Sequence, residues 1–185
     1  MSDVWAATEA DADGARGRAK VLSIICSIMN GTLRIRRMAE TDAEVVAMLA
    51  GELGYPNETE AIRARVRAIG EPDLLLVAVD ASDEAVGFIQ AHRVCIIEVG
   101  FRVEILGLVV SSSARRSGIG RRLIAEAERW AKSIGAEAIS VRSNTKRTEA
   151  HIFYPALGYK KIKTQAVYEK QRARSRERGA RSGEE

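Results

Sequence analysis

The chain has 185 residues, of which 46% are hydrophobic and 29% charged, and its formal net charge is +4. That length holds a single core and argues for one domain, and the balance is that of a globular protein rather than a fibrous or disordered one. Two cysteines (Cys26, Cys95) and two histidines (His92, His151) form no C-x-x-C or H-x-x-x-H spacing, so no metal site or redox pair is expected. Both cysteines read as buried small hydrophobes in a reducing cytoplasm.

Residues 1–30 mix Ala, Asp, Gly and Arg without apolar periodicity and read as a poorly ordered extension. Within them Val21 to Met29 is apolar but too short to span a bilayer. The mixed charges before it, and the lack of a small-residue cleavage site after it, argue against a signal peptide. Met29 reads as a natural start of translation.

The pattern then becomes regular. Thr32 to Arg36 alternates with period two, as a half-buried strand does. Thr41-Asp42 caps a helix carrying Val45, Val46, Met48, Leu49 and Leu53. Gly54-Tyr55-Pro56-Asn57 stops it, and Asn57 or Thr59 opens a second helix through Ile62, Val66 and Ile69. Leu74 to Val79 and Ala85 to Ala91 read as strands around a turn at Asp80 to Glu84, and Val103 to Val110 as the next strand. A helix follows from Gly118 to Ser133, its apolar positions Ile119, Leu123, Ile124, Ala127, Trp130 and Ala131 on one face, with Gly135 as its C′ residue. Ala138 to Val141 is a short strand. Arg147 to Leu157 is a helix closed by Gly158, and Tyr159 to Val167 gives one or two final strands. Residues 31–169 thus form one domain with an α/β layer arrangement, a mixed sheet covered by helices. Residues 170–185 form a basic mobile tail. No aromatic residue interleaves with its arginines, so the tail reads as solvated rather than as a nucleic-acid site.

The chemistry is concentrated in Leu108 to Leu123. A strand there leads through a Ser-rich loop into Gly118 and Gly120 at a helix start. Free N–H groups and the positive dipole end make a helix start an anion site, and glycine lets the backbone approach a phosphate closely. Arg115, Arg116, Arg121 and Arg122 add permanent positive charge. No G-x-x-x-x-G-K-[ST] is present, and G-x-G-x-x-G fails because Leu123 takes the third position, which disfavours ATP and nicotinamide.

Arg115-x-x-Gly118-x-Gly120 resembles the R/Q-x-x-G-x-G/A acetyl-CoA signature of the GNAT superfamily of N-acetyltransferases. Ala150-His151-Ile152-Phe153-Tyr154-Pro155-Ala156-Leu157-Gly158-Tyr159 is similar to that family's A-x-x-F-Y-x-x-x-G-[FY] ending, and the likeness spans about residues 32 to 169. The resemblance implies a mostly antiparallel central sheet flanked by helices and splayed between the fourth and fifth strands. It implies acetyl-CoA as cosubstrate, an amine acceptor, direct attack in a ternary complex, and no membrane; a homodimer is common among relatives. Amides from Arg116 through Ser117, Gly118, Ile119 and Gly120 would hold the pyrophosphate, with Arg115 and Arg121 beside them. Leu108, Val109 and Val110 would line the pantetheine arm, and Asn144 would hydrogen-bond it. Tyr154 aligns with the tyrosine often assigned as the acid that protonates the departing thiolate. Pro155, where the family has a polar residue, disfavours α conformation at Tyr154 and is expected to redirect it.

Glu104 lies eleven residues before Arg115, a spacing similar to that of the catalytic glutamate in histone-acetylating relatives. A partly buried carboxyl there suits a base. Glu98 and His151 are weaker competitors. The competing reading is a non-catalytic acyl-CoA sensor that keeps the cradle without turnover. Acceptor choice is expected around Glu52 to Asn57, where Tyr55 shapes a pocket or packs.

Overall fold

The computed structural model describes residues 32–70 and 73–170. The N-terminal extension with Cys26 and Met29, and the tail from 171, lie outside the described residues.

Five strands form one sheet in the order β1-β2-β3-β4-β5. They are β1 (Arg34–Arg37), β2 (Leu74–Val79), β3 (Ala85–Ile96), β4 (Gly100–Val110) and β5 (Ala138–Val141). All neighbours are antiparallel except β4 and β5, which run parallel. The helices are α1 (Ala43–Glu52), α2 (Thr59–Ala68), α3 (Ile119–Ser133) and α4 (Thr148–Phe153). A parallel neighbour requires a crossover, and α3 supplies it between β4 and β5.

Two cores sandwich the sheet. On one face Ile119, Leu123, Ile124, Ala127 and Ala131 of α3 pack on Leu74, Leu76, Ile89, Ala91, Val103 and Ile105. These helix positions carry the amphipathic stripe read from the sequence, with Trp130 partly buried beside them. On the other face Ala43, Val46 and Ala47 of α1 and Ile62 of α2 pack on Val77, Val79 and Ala85. Burial on both faces explains why β2 reads as an unbroken apolar run, Leu-Leu-Leu-Val-Ala-Val, with every residue buried.

Three expectations are corrected. β3 and β4 are longer than their apolar stretches, pairing outward to Ile96 and Gly100. Because that end of the hairpin runs beyond both helical layers, Cys95 is an exposed free thiol rather than a buried one. The final strands are absent: residues 160–170 have no regular structure and are all exposed. Lysines flank Ile162 on both sides there, so the segment has little apolar surface with which to hold an edge.

The start of the domain is tied down by one carboxylate. Buried Asp42 accepts both guanidinium nitrogens of Arg36 at 2.8 Å and the Ala39 N–H at 2.7 Å. Burial alone would raise its pKa, yet these donors outweigh burial and hold it below the usual carboxylate value. Asp42 therefore contributes stability above pH ~4, lost as pH falls through its lowered value. Asp42→Ala should cost about 2–3 kcal/mol at neutral pH, because it leaves the half-buried Arg36 guanidinium with Asp83, at 3.3 Å, as its remaining carboxylate. Urea unfolding at neutral pH and again near pH 3 checks this, since the gap between wild type and variant should narrow in acid.

Candidate active site

β4 runs out of partner on one side. Its parallel ladder with β5 covers only Arg102 to Ile105, paired with Ala138 to Val141. β4 itself continues to Val110. The register with β3 slips at the same place: Gln90 opposes Gly107 but Ala91 opposes Ile105, so Leu106 is an extra, bulged residue. Leu106 is also the exposed apolar residue of this strand, at 53%. From Leu106 to Val110 the β5-side edge thus offers main-chain groups to a ligand.

Leu108 and Val110 pack towards the α3 core, whereas Val109 opposes Phe88 and is buried. These side chains therefore fix the strand, and what faces the gap is its main chain. Leu106 and Gly107 belong to this edge although the sequence reading passed over them. A period-two pattern gives no sign of a bulge.

β4 leads through a short 3-10 turn, Ser112–Ala114, to the glycine loop. The Ser117 hydroxyl donates to the Ala114 carbonyl at 2.5 Å. Arg116 and Gly118 both adopt left-handed φ, +62° and +86°. This reversal turns the chain into α3, whose first main-chain bond runs from Arg122 N–H to the Gly118 carbonyl at 3.1 Å. The amides of Ile119, Gly120 and Arg121 precede that bond, and no side chain caps the helix start. The first turn holds no acidic residue. Space beside Gly118 is open, with nothing within 4 Å of where a Cβ would sit.

Gly120 also has a packing role. A Cβ there would meet the Phe153 ring at 3.3 Å and Val110 at 3.7 Å. Its missing side chain makes room for the aromatic ring.

Arg115 is anchored. It donates to the Val110 carbonyl and to Glu52, each at 3.3 Å. Glu52 also accepts the Ser112 N–H at 2.8 Å, so the end of α1 grips the loop. A second tie joins Arg147 to the Leu53 carbonyl at 2.7 Å. Sequence reading placed the Glu52 to Asn57 stretch near the acceptor but missed Glu52 as a clasp. Tyr55 is exposed at 61%.

Tyr154 keeps helical backbone angles, φ −66° and ψ −44°, and donates its N–H to Ala150 at 3.1 Å. Pro155 instead begins a separate 3-10 turn, Pro155–Leu157, closed by Gly158 at φ +90°. The proline breaks the helix without deflecting the Tyr154 backbone. The ring meets Phe153 and Tyr159 edge-on at centroid distances of 5.2 and 5.7 Å. Burial raises the phenol pKa, opposed in part by the nearby Arg147 charge, so Tyr154 stays protonated at neutral pH. Tyr159 in turn donates to Glu128 on α3 at 3.0 Å, and its own pKa is raised by burial and by that carboxylate.

Glu104 lies on the α1 side of β4, opposite His92 and beside Ser140. Its side chain is only 13% exposed, and the guanidinium of Arg142 engages both its oxygens. Glu104 is thus held as a paired carboxylate, whereas the sequence pointed to a lone buried one. Glu98 sits exposed at the hairpin tip and His151 is exposed on α4. Asn144 is exposed, and its side-chain oxygen accepts the Lys146 N–H at 2.9 Å, leaving its amide NH2 to donate. Among the described residues no His, Cys, Asp and Glu side chains cluster in threes as a metal would need. No helix there is long and apolar enough to cross a membrane.

Comparison with known proteins agrees with this arrangement. Residues 43–159 match the family model described as Acetyltransferase (GNAT) family. The aminoalkylphosphonate N-acetyltransferase of Salmonella typhimurium is 30% identical over 140 residues, covering 74% of this chain and 86% of that protein. Among solved structures, a transcriptional regulator from Bacillus halodurans C-125 superposes with a TM-score of 0.66 at 28% identity, over 74% of this chain and 99% of its own. The aminoglycoside N-acetyltransferase AAC(6')-Iy, solved in complex with CoA, shares the fold with a TM-score of 0.66 at 23% identity, over 75% and 95% of the two chains. The extent of the family match, together with the Salmonella relative, makes this chain a member of the GNAT acetyltransferase family.

Proposed function

We propose that residues 31–169 transfer the acetyl group of acetyl-CoA to a primary amine of a small molecule, by direct attack within a ternary complex. The observation that carries this reading is the unpaired edge of β4 running straight into an uncapped, arginine-rich helix start. A ligand with an extended amide-bearing arm and a pyrophosphate head complements both features. The relatives named for aminoalkylphosphonate and aminoglycoside acetylation favour small amine acceptors. A cytoplasmic site fits the free thiol of Cys95.

The roles follow from position. Amides from Arg116 to Gly120 receive the pyrophosphate, aided by the exposed guanidinium of Arg116 and by Arg121. The main chain from Leu106 to Val110 pairs with the arm as an added strand, and the Asn144 side-chain NH2 donates to it. Acetyl-CoA supplies the activated acyl group. Tyr154, kept protonated by burial, gives its proton to the departing sulfur. Glu104 presents a fixed negative charge on the acceptor side of the strand.

Saturating acetyl-CoA, at about a hundredfold over its Kd, should stabilise the protein by about 2.7 kcal/mol, or roughly 5–10 °C in Tm. Gly118→Glu should abolish that shift, because it places a negative charge in the open space beside the amides. Its own Tm should fall only a few degrees, the left-handed φ costing about 1–2 kcal/mol. No shift in well-folded wild type overturns the proposal.

Tyr154→Phe keeps both edge-on ring contacts. It should lower kcat about a hundredfold while the KM for acetyl-CoA changes less than threefold. Release of CoA thiol from acetyl-CoA, with aminoalkylphosphonates and aminoglycosides as acceptors, reads both parameters. An unchanged kcat would assign Tyr154 to packing alone.

A further inference from the structure

A row of polar side chains crosses the sheet on the face that carries α1 and α2. Leu74 opposes Ala91, and Ala91 opposes Ile105, all three in the α3 core. The next residues along, Asp73, His92 and Glu104, therefore project to the opposite face. His92 and Glu104 are direct cross-strand partners, and Ser140 of β5 continues the row beyond Glu104. His92 Nδ1 contacts Asp73 Oδ1.

This pair has a defined polarity. An ionised carboxylate only accepts hydrogen bonds, so Nδ1 must carry the hydrogen that it shares with Asp73. In the neutral ring the lone pair then lies on Nε2. Nε2 makes no hydrogen bond among the described residues, and the side chain is 41% exposed while Asp73 is 14% exposed. A base aimed by a largely covered carboxylate, on a side chain that solvent reaches, is the arrangement that proton abstraction needs. Glu104 is less suited, because Arg142 engages both its oxygens.

Its place along the sheet fits the same use. An arm laid on the open edge from Val110 back to Leu106 covers about 14 Å of strand. Its far end then stops at the bulge, where the ladder with β5 begins. Glu104 and His92 form the second cross-strand pair along from that bulge, on the acceptor face.

The geometry points to His92, oriented by Asp73, as the group that removes the proton from the acceptor amine. This rests on the acetyltransferase reading. An ammonium acceptor gives one proton to Nε2, which returns it to solvent. The freed nitrogen lone pair forms a bond to the acyl carbon, and the carbon–sulfur bond breaks with its electron pair on sulfur. The nitrogen loses a second proton as the amide forms, and sulfur gains one, delivered by Tyr154. The balance is ammonium plus thioester giving amide, thiol and one released proton. Asp73 acts through His92 and is a positioning residue. The charged groups beside the ring are Asp73, just before β2, Glu104 with its partner Arg142, and Arg102 on the same strand face, while Arg37 of β1 donates to the Asp73 main-chain carbonyl at 3.5 Å.

The test compares wild type, His92→Ala, His92→Gln and Asp73→Asn in CoA-thiol release, with aminomethylphosphonate and propylamine as acceptors. Each variant is first shown to keep the wild-type thermal shift with acetyl-CoA. His92→Ala should lower kcat/KM about a hundredfold, and added imidazole should restore at least tenfold. Asp73→Asn should lower kcat about tenfold while the KM for the amine changes less than threefold. If His92→Ala unfolds, His92→Gln carries the same comparison of rate. A kcat/KM that survives in the His92 variants, or a loss that imidazole does not repair, overturns the assignment while leaving acetyl transfer intact. A wild type that binds acetyl-CoA but releases no thiol above buffer with either amine overturns the assignment together with the catalytic reading.

Discussion

A strand whose edge is left without a partner must find one elsewhere, and that constraint organises this protein. Five residues of β4, Leu106 to Val110, extend past the last rung shared with β5. In most sheets such an edge is a liability, managed by charge, proline or a covering helix. Here it is lined by apolar residues and ends in a loop rich in free amides. The bulge at Leu106 separates the two halves of the strand. Before it, β4 is an ordinary inner strand with neighbours on both sides. After it, β4 has β3 on one side and a gap on the other, so a bound chain completes the sheet without disturbing the core.

Charge at the end of that edge runs against helix stability. Acidic residues favour the first turn of a helix by 0.3–1 kcal/mol each at low salt, and cations there are unfavourable by similar reasoning. α3 begins Ile-Gly-Arg-Arg with no acidic residue in that turn. Arg122 is absorbed by the Leu33 carbonyl at 2.9 Å, and Arg115 by Glu52 and Val110. Arg116 and Arg121 make no ion pair among the described residues. The uncompensated part of the cluster is thus the part nearest the free amides, and an anion there relieves both the dipole and the repulsion. Glu52 extends this coupling to α1. Its carboxylate ties the end of that helix to the loop.

How much of this was legible in the sequence depends on the range of each interaction. The α3 stripe is a local periodicity, and every residue of it lands in or against the core. The glycine loop is local too, because positive φ and an exposed helix start are dictated within a few residues. The register of β3 against β4 is not local, and so the bulge, the pairing of His92 with Glu104, and the 19-residue reach from Asp73 to His92 gave no sign. His92 falls just past the strand read from Ala85 to Ala91 and stood out only as one of two histidines without metal spacing. Arg142 drew no reading, yet it pairs with both oxygens of Glu104. The missing final strands failed for the opposite reason. Residues 159–167 read as one or two strands, but a strand needs an edge to pair with and a face to bury, and lysine-rich sequence provides neither.

The two motifs that carried the resemblance turn out to be one packing unit. Gly120 lies in the first turn of α3 and Phe153 at the end of α4, 33 residues apart in sequence, and the ring fills the space a Cβ would need. Phe153 then holds Tyr154 edge-on, while Tyr159 braces the same ring from the other side and is itself tied to Glu128 of α3. Both ends of the tyrosine segment are therefore referenced to the helix whose start carries the uncapped amides. That rigid link explains why Pro155 is tolerated. Direction at Tyr154 is set by aromatic contacts and by the Ala150 bond upstream, and the proline acts only on the turn that follows. The missing side chain of Gly120 thus acts at a distance, by letting the Phe153–Tyr154 pair pack close against the start of α3.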